Sequence, residues 1–210
     1  MGNPQPSPPL TTSGDCISVI LVTMKGLILA STSPRRQELL KGLGIDFQVV
    51  APQVEERYGE GEDPAVGAMR IACRKARQVA EQFPGRLVLG ADTIVVLDGM
   101  ILGKPEDSGE AREMLKRLSG RVHRVITGFC LIDGERTVTR HVETLVKIKE
   151  VTDEELEEYL RTGEPLDKAG AYAIQGVGAH LVERIEGSYT NVVGLPLTEL
   201  KVALRDIWGG

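Results

Sequence analysis

The apolar positions of the chain follow two rhythms, and each change of rhythm marks an element. "GLILAS" is an unbroken aliphatic run, which predicts a short buried strand ending at Ala30. Behind it, "SPRRQELLKGLG" places Leu39, Leu40 and Leu43 on one helical face, with Ser33 as N-cap and Pro34 as first helical residue. "FQVVAPQVEE" reads as a strand running into an acidic loop. Over residues 64–82, Ala65, Met69, Ala72, Ala76 and Val79 recur on one helical stripe. "RLVLGADTIVVLDGMILGKP" returns to strand rhythm as a pair turning at Asp98-Gly99. "HRVITGFCLIDGERTVTRHVETLVKIK" is a second pair, turning at Asp133-Gly134. Asp107 with Glu110, and Thr152 with Glu155, have capping-box spacing and start helices ending at Leu118 and near Gly163. A glycine-rich segment, "DKAGAYAIQGVGA", leads to a strand at "HLVERIEG" and a closing helix over residues 196–207. Strands and helices alternate, but the two strand pairs break any doubly wound order. The class expected is α/β, a mixed twisted sheet with flanking helices.

Composition changes this picture mainly at the N-terminus. The chain has 210 residues and a net charge of -5, which argues against a broad nucleic-acid surface but leaves room for a local phosphate site. Its three cysteines, Cys16, Cys73 and Cys130, show neither metal nor disulfide spacing, so a reducing cytoplasm is the simplest setting. "GNPQPSPP" is too proline-rich and polar to order itself. "ISVILVTM" is too short to span a bilayer and lacks the flanks of a signal peptide. Met24 stands directly before "KGLILAS". Residues 1–24 are therefore expected to be a disordered extension, and residues 25–210 a single catalytic domain with two lobes around a cleft. An extra edge strand from Ile17 to Val22 is the other reading.

Several residues stand out against this background. Amides at a helix start are unpaired and the helix end is electropositive. Arginine adds a fork of donors that fits phosphate oxygens. "STSPRR" therefore reads as a phosphate cradle, or else as a capped surface helix with two solvated arginines; no P-loop pattern is present. On the following helix Arg70, Arg74, Arg77 and Glu81 share the outer face, whereas Lys75 lies beside the apolar stripe and either snorkels to water or reaches into a cleft. Asp92 interrupts the apolar strand "VLGADTIVVL" and needs a partner or a function, while Thr93 points to the opposite face. Lys104 follows the hairpin in "LGKP" and returns to the same end. A carboxylate among cations suits metal-assisted attack on a phosphoryl group, with magnesium held by carboxylates and substrate phosphates. A buried Asp–Lys pair holding a hairpin is the structural alternative. Glu55 and Glu56 are loop carboxylates that either ligate a metal or are solvated. Gln175 and Asn191 have the donor and acceptor pairs needed to read a base edge.

In order and spacing, "LASTSPRRQELL", "VEE", "ACRKA", "GADTIV", "GKP", "DKAGAYAIQG" and "NVVGLPL" resemble the Maf family of nucleoside triphosphate pyrophosphatases, once described as septum formation proteins. The resemblance runs from about Leu27 to Leu204. It implies a fold related to the inosine triphosphate pyrophosphatases and hydrolysis of a nucleoside triphosphate to the monophosphate and pyrophosphate with Mg2+ or Mn2+. It implies Asp92 as the acidic catalytic residue, as proton acceptor or metal holder. Arg36, Lys75 and Lys104 match its catalytic polar shell, and Glu56 joins Asp92 as the metal pair. Ser33 matches the phosphate-binding turn, and Arg35, Thr93 and Gln175 match positions tied to substrate choice. "GKPEDS", "LSGRVHRVITG" and "DKAGAYAIQG" are most like the dTTP/UTP subgroup. The alternatives are the subgroup acting on 7-methyl-GTP and a non-catalytic nucleotide-binding regulator of septation. Ala173 stands where the family usually has glycine. The partners implied are a nucleoside triphosphate and, as an open option, a second copy of the chain, with neither nucleic acid nor membrane.

Overall fold

The computed structural model describes residues 26–208, so the readings for residues 1–24 lie outside the described residues. Its elements follow the sequence in order. Strand β1 (Leu27–Ala30) is followed by helix α1 (Pro34–Gly42), strand β2 (Phe47–Val49) and the long helix α2 (Pro64–Ala80). The hairpin of β3 (Val88–Leu97) and β4 (Met100–Leu102) precedes α3 (Ser108–Leu118), and the longer hairpin of β5 (Val122–Asp133) and β6 (Arg136–Ile148) precedes α4 (Asp153–Arg161). After three short 3-10 turns between Glu164 and Leu181 come β7 (Val182–Glu186), α5 (Tyr189–Val193) and α6 (Leu197–Trp208).

The strands form one sheet of order β2-β1-β3-β5-β6-β7, with β4 also on β3. β1 runs parallel to β2 and β3; the remaining pairs are antiparallel. The mixed sheet follows from the connections. Helix-sized crossovers allow parallel neighbours, and two-residue turns force antiparallel ones. The first turn is Asp98-Gly99, both at positive φ, as a tight hairpin requires. The second is Gly134-Glu135, one residue later than the sequence predicts, because Asp133 still pairs with Arg136. Thr152 and Glu155 make the full capping box. At α3 only half forms: Asp107 accepts from the Glu110 amide, while the Glu110 carboxylate turns to the amide of Glu106.

One face of the sheet is covered by α2. Its Ala72, Ala76 and Val79 pack on Ile28, Val88 and Cys130. The approach is unusually close: a Cβ on Gly90 would lie 2.2 Å from the Ala72 carbonyl oxygen, and one on Gly128 2.5 Å from Ala68 backbone. Only glycine lets the helix backbone sit on the strands at these points. The opposite face carries two separate apolar clusters. One joins Leu29, Leu89 and Phe129 to Leu40 of α1 and Leu200, Ala203 and Leu204 of α6. The other joins Val95, Leu97 and Val125 to Leu115 and Leu118 of α3 and to Leu156 and Tyr159. Between them the face turns polar, with Thr93, Thr127 and Thr144 on three successive strands.

Candidate active site

The site begins with a gap in the sheet. β1 pairs with β3 only as far as Gly90, and β4 begins to pair at Val95. Between those limits β3 has β5 on one side and, among the described strands, none on the other. Alternation sends Asp92 to the α2 face and Thr93 to the other. Because the edge is open, both border the same cavity of about 460 Å3, a size suited to a small-molecule ligand.

On the α2 face Asp92 is 4% exposed. Its Oδ1 accepts from Lys75 Nζ at 2.7 Å, and its Oδ2 accepts from the Tyr58 hydroxyl. Lys75 Nζ also meets Glu56 Oε1 at 2.7 Å. Lys75 therefore reaches inward; the close seat of α2 on Gly90 brings it within range of the strand. Burying one charge alone is costly, and the lysine lies between two carboxylates that offset that cost. Tyr58 has no counterpart in the sequence reading. Its ring packs against Gly67, where a Cβ would come within 2.7 Å of it. An aromatic residue two positions after Glu56, in an otherwise charged loop, was the available signal. Burial and the Asp92 charge both push its phenol well above the usual range, so it stays a donor.

On the other face the Arg36 guanidinium joins three parts of the chain. Nε donates to the Gly194 carbonyl at 2.9 Å, Nη1 to Ser31 Oγ at 3.1 Å and Nη2 to Thr93 Oγ1 at 3.0 Å. Burial lowers its pKa, while Asp92 and Glu56 pull in the opposite direction. Thr93 continues the chain to Thr127 at 2.9 Å, and Thr127 donates to the Asn191 carbonyl. Ser33 occupies the N-cap position of α1, yet its side chain makes no capping bond. Its hydroxyl and the unpaired amides behind Pro34 remain at the cavity. Arg35 and Lys104 also line it, as does Lys168, which is paired with Asp167.

Eight of the eleven candidate residues line this cavity: Ser33, Arg35, Arg36, Glu56, Lys75, Asp92, Thr93 and Lys104; Glu55 does not, and pairs with Arg57 on the exposed loop. Asn191 does not, and the expectation that its side chain meets substrate is corrected. It is fully buried, and its Nδ2 donates to the Val125 carbonyl at 3.0 Å and Thr144 Oγ1 at 2.9 Å. Its place is to tie α5 to β5 and β6 behind Thr127. Gln175 is half-buried and follows the wall residues Ala173 and Ile174 without lining the wall itself.

The cavity's apolar end is formed by Val95, Val125, Tyr172, Ile174 and Val192. Tyr172 is held from behind by His123, whose Nε2 lies 2.7 Å from the phenol oxygen. Burial lowers the His123 pKa to about 4. Above the ordinary value of about 6.5 the imidazole is neutral in both folded and unfolded chains. As pH falls from there, the unfolded chain takes up a proton that the folded one refuses, so stability falls, and the loss is complete below about 4. It amounts to about 3 kcal/mol. Urea unfolding at about pH 7 and about pH 4.5 should show the gap between the two narrowed in His123→Gln by about 2 kcal/mol. Equal gaps in both proteins would contradict the assignment.

Of the carboxylates lining the cavity, Asp167 is paired with Lys168 while Glu56 and Asp92 lie together at Lys75, and no cluster of three or more potential ligands occurs among the described residues. Two hard carboxylates fit magnesium or manganese, which commonly take one or two from the protein and complete their shell with phosphate oxygens and water. The donor set thus fits a metal that arrives with a phosphorylated ligand.

The Maf-like protein family matches residues 26–207. A protein from Symbiobacterium thermophilum, named dTTP/UTP pyrophosphatase, is 54% identical over 174 residues, covering 83% of this chain and 90% of the relative. One of the same name from Geobacter sp. is 55% identical over 183 residues, covering 86% and 95%. Another from Bacillus cytotoxicus is 50% identical over 187 residues, covering 89% and 98%. Among solved structures, protein VC0702 from Vibrio cholerae aligns at a TM-score of 0.30 and 13% identity over 66% of this chain and 70% of that one, too distant to inform the site. With the family matched across nearly the whole described chain and relatives sharing about half its residues over most of their length, this protein belongs to the Maf family.

Proposed function

We propose that this protein is a nucleoside triphosphate pyrophosphatase that hydrolyses dTTP and UTP to the monophosphate and pyrophosphate. The observation that carries the reading is the buried Asp92–Lys75 pair, joined by Glu56, on an unpaired strand edge facing an uncapped helix start with two arginines. The relatives at 50–55% identity that bear the dTTP/UTP name select this subgroup over the one acting on 7-methyl-GTP. A non-catalytic regulator is disfavoured, since a carboxylate beside bound phosphates weakens anion affinity unless it has chemical work.

The roles follow from position. The amides at the start of α1, with Ser33, Arg35 and Lys104, hold the triphosphate, and Arg36 braces the turn that presents them. Asp92 accepts the proton of the water that attacks the α-phosphorus, and pyrophosphate leaves toward the cations. Lys75 fixes the Asp92 carboxylate and neutralises part of the charge gathered there. Tyr58 orients Oδ2 by donating to it. A divalent metal held by Glu56 and Asp92, when bound, would screen charge and lower the pKa of water. The base occupies the apolar end beside Tyr172 and Ile174.

Gln175 adjoins that end, and uracil and thymine offer its amide the same carbonyl and N–H edge, which cytosine does not. Gln175→Ala should reduce the kcat/KM preference for UTP over CTP roughly tenfold, the value of one well-placed hydrogen bond. An unchanged ratio would transfer base selection to the main chain of residues 169–174. The activity itself is tested by offering dTTP, UTP, CTP, GTP and 7-methyl-GTP with magnesium or manganese and measuring pyrophosphate and orthophosphate separately. Pyrophosphate release from dTTP and UTP above the others is expected. Orthophosphate as first product, or no turnover, would overturn the proposal.

A further inference from the structure

On the far side of α2, away from the cavity, two sulfur atoms share one hydroxyl. Cys73 of α2 lies with its Sγ 3.0 Å from Thr139 Oγ1, and the same oxygen lies 3.5 Å from Cys130 Sγ. Cys130 and Thr139 are directly opposite each other on β5 and β6, so both project to the face that α2 covers. The helix is held close there because Gly90 and Gly128 bring its backbone onto the strands. The two thiols differ in access. Cys73 is half-buried at the flank of the helix, and Cys130 is fully buried beneath it. Neither lines the nucleotide cavity.

Their chemistry differs as well. The contact with Cys130, a share in the Thr139 hydroxyl and the charge of Arg77 one turn along the helix hold the Cys73 thiol below its usual range against the effect of burial. Cys130 is pushed far upward by its thiolate neighbour and by burial, and keeps its proton. The thiolate is the reactive form of cysteine, and access decides which thiol reacts first. The outer thiol is thus suited to meet an oxidant and the inner one to resolve the product.

We propose that Cys73 and Cys130 form a peroxide-reactive dithiol that closes to an intramolecular disulfide, joining α2 to the sheet. The Cys73 thiolate attacks one peroxide oxygen. The O–O bond breaks, leaving Cys73 as the sulfenic acid and releasing the other oxygen as hydroxide, which takes a solvent proton. The Cys130 sulfur then attacks the Cys73 sulfur, the S–O bond breaks, and the hydroxyl departs with the Cys130 proton as water. Both thiols are oxidised to one disulfide, and the peroxide is reduced to water. The site is independent of the nucleotide reaction, so its failure would not touch the proposed activity.

The test uses the full chain with Cys16→Ser, to remove the remaining thiol, treated with stoichiometric hydrogen peroxide and mapped as unreduced peptides. A linked peptide pair containing Cys73 and Cys130, reversed by dithiothreitol, is expected. A melting temperature several degrees higher than in the reduced protein is expected too, since the bridge restricts the unfolded chain. In the Cys130→Ser variant the reaction should halt at Cys73, where dimedone traps the sulfenic acid. Over-oxidation of Cys73 with Cys130 still free, or survival of both thiols under conditions that oxidise free cysteine, would overturn the proposal.

Discussion

Asp92→Asn should lower kcat for dTTP and UTP by about 10³-fold while the protein still folds, an effect in the usual range for a lost general base. The substitution preserves shape and leaves an oxygen to accept from Tyr58 or Lys75, so the contacts of β3 with α2 and β5 persist. The carboxylate charge goes, and with it the group proposed to take the proton. Lys75 keeps Glu56 as its ion-pair partner, which limits the loss of stability to about 1–3 kcal/mol. Repulsion between protein and phosphate also falls, so nucleotide affinity without metal should hold or rise. Turnover near the wild-type rate would remove Asp92 from the chemistry.

Arg36→Ala should lower kcat/KM by about 10²-fold for dTTP, UTP and CTP alike, because the groups it organises are those proposed to meet phosphate, which all three share. The guanidinium ties Ser31, Thr93 and the Gly194 carbonyl together. Without it the turn before α1 loses its link to β3 and to the segment after α5. Arg36→Lys should not restore the rate, since an ammonium cannot reproduce a planar three-way fork. Melting temperatures of both variants separate loss of the brace from loss of the fold. A deficit confined to one nucleotide would move Arg36 into base recognition.

These two residues also show what local pattern can and cannot reveal. Asp92 was legible because a carboxylate inside an apolar strand demands compensation. Arg36 stood out by its place at a helix start, but its bonds to Ser31, Thr93 and the Gly194 carbonyl join distant segments and were not visible there. Lys75 was legible as a position off the solvent face, but whether it surfaced or turned inward depended on how closely α2 meets Gly90, a contact between distant segments. The gap in the sheet was hidden for the same reason. It arises where the parallel β1 pairing stops and β4 has yet to begin, and no local window contains both limits. Asn191 was misread because exposed and buried amides look alike in sequence; only the strands around it show that Val125 and Thr144 consume its donors. Tyr58 escaped because its partner lies 34 residues away.

On the proposed reaction, water attacks the α-phosphorus and pyrophosphate leaves whole. Hydrolysis of UTP in water enriched in oxygen-18, with mass analysis of the products, tests it most directly. The account predicts the label in UMP and none in pyrophosphate. Label in pyrophosphate, or in orthophosphate formed at the first step, would contradict it.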